Sequence, residues 1–219
     1  MRATSLALAL VLLGCATSTP QPTAEAPPRT AENVLHLAKR WQKQRTDDFQ
    51  WSGQIVISDD AVALGEGQPY TGVRWPGAVP REDYEIELEA RRTSGGDIFC
   101  GLTGPVGDAH VSFVLGGWGD CVIGLSNVDG FNASENETTM TMSFENDRWY
   151  RVKMRVTKER IEGWIDGARV IDQEREGHTF TTYPQLRPLH PLGIFSWMSS
   201  AEIRSAVLRK VSVAARPAE

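Results

Sequence analysis

The chain is poor in cysteine, in basic charge and in long apolar runs, and each shortage excludes a class of protein. Three cysteines in 219 residues, with no zinc-type spacing of Cys and His, exclude a disulfide-dense or zinc-stapled scaffold. Lys and Arg number 23 against 28 Asp and Glu, a formal charge of −5, so nucleic acid is not an expected partner. The apolar run at residues 6–13 is far shorter than the roughly 20 residues needed to span a bilayer. Helical periodicity is also scarce, which excludes a helical bundle. His110, His178 and His190 are scattered singly, and no Ser or Cys has a neighbouring partner in sequence that would mark a nucleophile.

What is present begins with a signal-peptide layout: Met1 and Arg2, the apolar run, then Gly14 and Cys15. Leu12-Leu13-Gly14-Cys15 resembles the bacterial lipobox. That resemblance implies removal of residues 1–14 and lipidation of Cys15; the alternative is an ordinary cleaved signal peptide. Acyl chains contribute about 0.8 kcal/mol per buried methylene, enough for several chains to hold a domain at a membrane through the lipid anchor only. Ala16 stands where an aspartate would resemble an inner-membrane retention signal. The implied address is an outer-membrane lipoprotein facing the periplasm or cell surface. Residues 15–30, rich in Pro, Thr, Ala and Ser, bury too little surface to offset backbone ordering and read as a flexible tether. Residues 31–45 predict a short helix, with Thr30 as cap and Val34, Leu35, Leu37, Ala38 and Trp41 on one face.

Residues 49–213 have the length and mixed composition of one domain. Strand signals recur through it. Residues 54–58 and 61–64 flank Asp59-Asp60, and Tyr84, Ile86 and Leu88 alternate with Glu85, Glu87 and Glu89. Short apolar runs at 98–102, 111–115 and 122–125 read as central strands covered on both faces. Residues 149–156 and 161–165 follow, and Asp166-Gly167 predicts a hairpin onto Arg169, Val170 and Ile171. With 192–197 and 203–213 the count nears a dozen, and two packed antiparallel sheets are the natural architecture. Cys100 and Cys121 each fall in an apolar stretch, where a bridge and two buried thiols explain them equally well.

The opening Trp51-Ser-Gly-Gln-Ile-Val-Ile with Ala61-Val-Ala-Leu, and Asp83-Tyr-Glu-Ile-Glu-Leu-Glu-Ala-Arg-Arg, resemble the first strands of concanavalin A-like jelly rolls. Arg148-Trp-Tyr-Arg-Val-Lys-Met-Arg-Val, Ile165-Asp-Gly-Ala-Arg-Val-Ile-Asp and Leu192-Gly-Ile-Phe-Ser-Trp resemble the bacterial 3-keto-disaccharide hydrolase domain family. The likeness spans nearly all of residues 49–213. It implies an all-β jelly-roll sandwich, a saccharide or modified disaccharide as partner, and cleavage of a glycosidic bond. The family commonly carries an Asn-Ser-Gly segment followed by an arginine; here the nearest segment is Ser94-Gly-Gly-Asp-Ile-Phe-Cys-Gly-Leu, without that arginine. A noncatalytic envelope module that binds protein or cell-wall partners is the alternative.

Sugars present apolar ring faces fringed by hydroxyls, so a site for them needs flat aromatics beside acceptors and amides. Residues 116–139 offer both, with Trp118, Asp120, Asn127, Asp129, Asn132, Glu135, Asn136 and Glu137. The same Asn, Asp and Gly also build tight loops through side-chain to backbone hydrogen bonds. If the domain hydrolyses, Asp97, Asp120, Asp129 and Glu135 are the candidate carboxylates, and such oxygen-rich loops can hold a divalent metal such as calcium. Trp75, beside Pro76-Gly77, and Trp197, at a strand end, are candidates to line a groove, whereas Trp149 and Trp164 read as core. Glu85-Ile-Glu87-Leu-Glu89 superficially resembles the Glu-x-Asp-x-Glu strand of laminarinase-like glycosidases, with Glu87 replacing the aspartate. Alternating glutamates on a solvated face also keep a strand soluble. Asn132-Ala-Ser and Asn136-Glu-Thr match the glycosylation acceptor pattern, which a bacterial lipoprotein would usually leave unused.

Overall fold

The computed structural model describes residues 34–36 (backbone only), 40–44, 49 and 51–211. The signal peptide, Cys15, the tether and Thr30 lie outside the described residues. Among the described residues fifteen strands form two antiparallel sheets, as the alternating pattern predicts. One sheet has the order β13-β12-β11-β6-β15-β4-β3, with β1 also paired to β15. Its strands are β1 (Val34–His36), β3 (Ile55–Ile57), β4 (Ala61–Leu64), β6 (Tyr84–Gly95), β11 (Tyr150–Val156), β12 (Arg160–Ile165), β13 (Ala168–Glu174) and β15 (Ser199–Lys210). The other has the order β10-β9-β8-β7-β14-β5-β2. It comprises β2 (Gln42–Lys43), β5 (Tyr70–Trp75), β7 (Cys100–Val106), β8 (Ala109–Gly116), β9 (Val122–Ser126), β10 (Met140–Thr141) and β14 (Leu192–Trp197). No described helix is long and apolar enough to cross a membrane.

Where residues 31–45 are described, strands stand in place of the predicted helix. Val34–His36 pairs with Val207, Leu208 and Arg209 of β15, and Gln42–Lys43 pairs with β5. Open ladder positions offer unpaired N–H and C=O groups, and satisfying them outweighs a marginal local helical preference. Trp41, predicted on the helix face, is buried instead, with its ring edge-on to Trp75 at 6.1 Å.

The inner faces of both sheets meet in one core, in which Tyr84, Ile86, Leu88 and Ala90 of β6 face Leu102, Phe113 and Ile194. The glutamates between them point outward and pair with arginines of the neighbouring strands: Glu85 with Arg155 at 2.9 Å, Glu87 with Arg209 at 3.1 Å, Glu89 with Arg204 at 2.9 Å. Trp149 and Trp164, predicted as core, lie half-buried on this outer side as well. Arg204 and Arg91 cover the Trp149 ring at 4.0 and 4.8 Å, and Lys153 and Arg155 cover Trp164 at 4.3 and 4.8 Å. The Asp166-Gly167 hairpin forms as predicted, with both residues at positive φ (51° and 83°), as a type I′ turn requires.

Candidate functional site

A second apolar cluster contains Phe49, Tyr70, Val114, Leu186, Leu189 and Phe195, without a single residue of the eight-stranded sheet. It therefore sits on the outer face of the seven-stranded sheet. That face is unusually low at its centre. Phe195 of β14 is in register with Gly72 of β5 on one side and Gly101 of β7 on the other. With no Cβ on either flank its ring lies over Gly101, where an added Cβ would stand 2.2 Å from Cε1. Gly193 likewise lies beneath Leu189, whose Cβ would be 2.5 Å from an added one. Strand glycines often mark such close approaches.

A cavity of about 290 Å³ opens above this floor. Phe195, 2% exposed, forms the floor, while Trp118 and Tyr183, 40% and 39% exposed, stand at the rim. Tyr70 and Trp197 close one wall edge to face, with centroids 4.5 Å apart. Apart from the aromatic side chains, the polar residues of the described lining are few: Asp97, Ser112 and Ser126. Asp97 Oδ1 accepts from the Ile98 N–H at 2.8 Å, and burial holds its carboxyl above the usual range despite bonds from the backbone N–H groups of Ile98 and Trp118. Ser112 exchanges a 2.8 Å hydrogen bond with Thr103, and Ser126 donates to Asn127 Oδ1 at 2.7 Å.

Two loops frame the opening. The turn at 116–121 carries Trp118 and Asp120 at φ 50° and 83°, alternating with Gly116 and Gly119 at 80° and 85°. Side chains pay for that left-handed geometry, and an ion pair from Asp120 to Arg92 holds it. Arg92 is 3% exposed and also donates to Phe144 O at 2.9 Å and Asn146 Oδ1 at 2.5 Å. The opposite flap, residues 183–190, contains the 3₁₀ turn Pro184–Leu189 and brings Tyr183 and Leu186 to the cavity. Its far end is fastened by His190, stacked on His110 of β8 at 3.8 Å and 9°, with Nε2 3.0 Å from Thr182 Oγ1. Burial, then the His110 neighbour, then Arg187 push His190 down to about 4. Burial, then Arg81, lower His110 as well.

Of the four candidate carboxylates only Asp97 reaches the cavity. Asp120 is committed to Arg92. Asp129 accepts from the Thr179 N–H at 2.7 Å and from Thr179 Oγ1 at 3.1 Å, with His178 Nδ1 2.7 Å from its other oxygen. Glu135 accepts from Asn132 Nδ2. Of the candidate sugar contacts, Trp118 and Trp197 line the cavity. Trp75 does not: it faces inward from β5, 1% exposed, because it lies an odd number of residues from Tyr70 and so on the opposite, core side of the strand. Asn127 pairs its backbone with Thr181 and so ties the segment leading into the flap to the end of β9.

Asn132 and Asn136 are loop scaffolding. Asn132 Oδ1 accepts from the N–H and hydroxyl of Ser134, at 2.8 and 2.7 Å, and Asn136 Oδ1 from those of Thr138, at 2.9 and 2.6 Å. The Asn136 amide also donates to the carbonyls of Leu125, Phe131 and Asn132. Both acceptor-pattern triplets are therefore side-chain turns. Glu137 accepts from Gln173 Nε2 at 2.6 Å and stands 3.5 Å from His178 Nε2. The described residues bring together no group of three His, Cys, Asp or Glu that could hold a metal. No disulfide joins Cys100 to Cys121; burial pushes the Cys100 thiol up to about 12.

Sequence reasoning missed Tyr70, Ser112, Ser126, Tyr183, Leu186 and Phe195. A signal existed for Ser112, a small polar residue within the apolar run of β8, and a weaker one for Ser126, which ends β9. Nothing comparable marks the flap residues. Glu85, Glu87 and Glu89 lie on the other sheet, facing away from the cavity and paired with arginines, so they are not the carboxylates of this site.

No family model matches the sequence, and no curated protein matches it in sequence. Solved structures match in fold. A carbohydrate binding module, CBM66 from Bacillus subtilis, aligns with a TM-score of 0.53 at 10% identity, covering 78% of this chain and 96% of that one. A protein from Bacillus subtilis with a galectin-like fold gives 0.56 at 13% identity, covering 84% and 97%. SCLam, a non-specific endo-beta-1,3(4)-glucanase from family GH16, gives 0.54 at 9% identity, covering 87% and 95%. At such identities the likeness is one of fold, and it is the jelly-roll sandwich that carbohydrate-binding modules and glycoside hydrolases share.

Proposed function

We propose that this chain is an exported lipoprotein, anchored through Cys15 to the outer membrane, whose jelly-roll domain binds a saccharide without cleaving it. The observation that carries the binding reading is the cavity on the seven-stranded sheet: five aromatic rings around one carboxylate and two serine hydroxyls. That is the mixture a sugar ring needs, with apolar faces met by aromatics and hydroxyls met by a few polar groups. Glycoside hydrolysis uses two carboxyl groups, about 5 Å apart for retention and about 6.5–9.5 Å for inversion. Among the described residues Asp97 is the one carboxylate lining this cavity. The resemblance to 3-keto-disaccharide hydrolases supports modified disaccharides as ligands to include, rather than as substrates.

The test is a glycan array and calorimetry on the full chain in detergent, together with reducing-sugar release from 3-keto-disaccharides and common glucans. Binding without release is expected, and Trp118→Ala should weaken it at least tenfold, as loss of a central aromatic anchor does. Absence of binding across the panel sinks the saccharide reading in favour of an envelope module with protein partners. Sugar release restores the hydrolase. Mass spectrometry of the mature N-terminus checks the anchor, which an unacylated Cys15 overturns.

A further inference from the structure

We infer that the cavity selects its saccharide by charge, accepting neutral and amino sugars and rejecting those that carry a carboxylate or sulfate. The inference rests on the saccharide-binding reading and goes on to the class of sugar. Among the eleven described residues that line it Asp97 is the one acid, and none is Lys, Arg or His. The basic groups of the flap, Arg187 and His190, are not part of the lining. Arg92, the buried guanidinium nearest the Trp118 turn in the chain of contacts, is spent on Asp120, Asn146 and Phe144. An acidic sugar entering the cavity would lose water and meet no cation among these described residues to replace it, since carboxylates and sulfates are recognised by Arg and Lys forks. It would also face the Asp97 carboxylate across a low-dielectric space walled by Ile98, Val114, Leu186 and Phe195. An ammonium on an amino sugar meets the opposite situation, with Asp97 as its counter-ion.

The probes are the methyl glycosides of glucose, glucosamine and glucuronic acid, and the matching galacto series, titrated into the full chain with calorimetric or NMR detection. Neutral and amino sugars of at least one series should bind, with the uronate weaker by at least tenfold, the scale of one like-charge contact at close range. Asp97→Asn keeps an oxygen for the Ile98 N–H and removes the charge. It should bring the uronate within about threefold of the neutral sugar and erase any advantage of the amino sugar. A uronate that binds the unaltered chain as tightly as its neutral partner overturns the inference while leaving saccharide binding intact. An unchanged preference in Asp97→Asn does the same. No binding by any of these sugars or by the wider glycan panel removes both readings together.

Discussion

Acidification should loosen the flap through His190. In the folded chain this imidazole is pushed down to about 4 from an ordinary 6.5, chiefly by burial and then by the stacked His110 ring. Above 6.5 the ring is neutral in both folded and unfolded chains, and nothing changes. Between 6.5 and about 4 the unfolded chain takes up a proton that the folded chain refuses, so stability falls throughout that window. The gap converts to a ceiling of about 3.4 kcal/mol. His190 is only half-buried, and solvent screening reduces the expected loss to about 1–2 kcal/mol. His110, also lowered, acts in the same direction.

His178 acts in a different range. Asp129 raises it, so its contribution is complete below 6.5 and is lost as pH rises through the folded value. Together these groups place a stability maximum near 6.5 on the histidine side of the profile. Urea unfolding at pH 7.0, 5.5 and 4.5, with His190→Gln in parallel, isolates the flap: the variant should lose about 1–2 kcal/mol less than the native chain between 7.0 and 4.5. Because Tyr183 and Leu186 ride on the same flap, sugar affinity should drop over the same interval. An identical pH slope in native chain and variant would refute the reasoning.

Gly101→Ala should cost about 1–3 kcal/mol by overpacking, because its Cβ would meet the Phe195 ring at 2.2 Å; thermal unfolding reads the loss, and calorimetry should show weakened sugar binding as the ring is driven into the cavity. Asp120→Ala, which leaves the Arg92 guanidinium buried beside Phe144 O and Asn146, should lower unfolding free energy by about 1–3 kcal/mol and weaken binding through the freed Trp118 turn. The Cys100 thiol, buried and pushed up to about 12, should resist iodoacetamide in the native chain and label only in denaturant; rapid native labelling by mass spectrometry would contradict its place in the core.

Much of the sandwich was legible because its strands alternate. Tyr84, Ile86 and Leu88 against three glutamates, the Asp166-Gly167 turn, and the bounded apolar runs of β7, β8 and β9 all form as read. β5 was hidden because Tyr70–Trp75 carries Thr71, Gly72 and Arg74 among its apolar residues, and Gly72 is needed there only so that Phe49 and Leu189 can approach. Residues 34–36 failed for another reason: their partner is more than 170 residues away on β15, and no local pattern records an open ladder. The site was half-legible. Asp97, Trp118 and Trp197 could be nominated from residue type and turn position, but the loop rich in Asn and Asp used its oxygens on its own backbone. Trp149 and Trp164 misled because a ring under a guanidinium looks, in sequence, like a ring in the core.

The arginine-capped back of the domain has a consequence for how many sugars one molecule can hold at once. Its two tryptophans are lidded by cations and its row of strand glutamates is neutralised, so that side offers a passing glycan neither a bare stacking platform nor an unmatched charge. On the binding reading proposed above, such a two-faced slab would coat a polysaccharide surface by its front and would not agglutinate one surface to another.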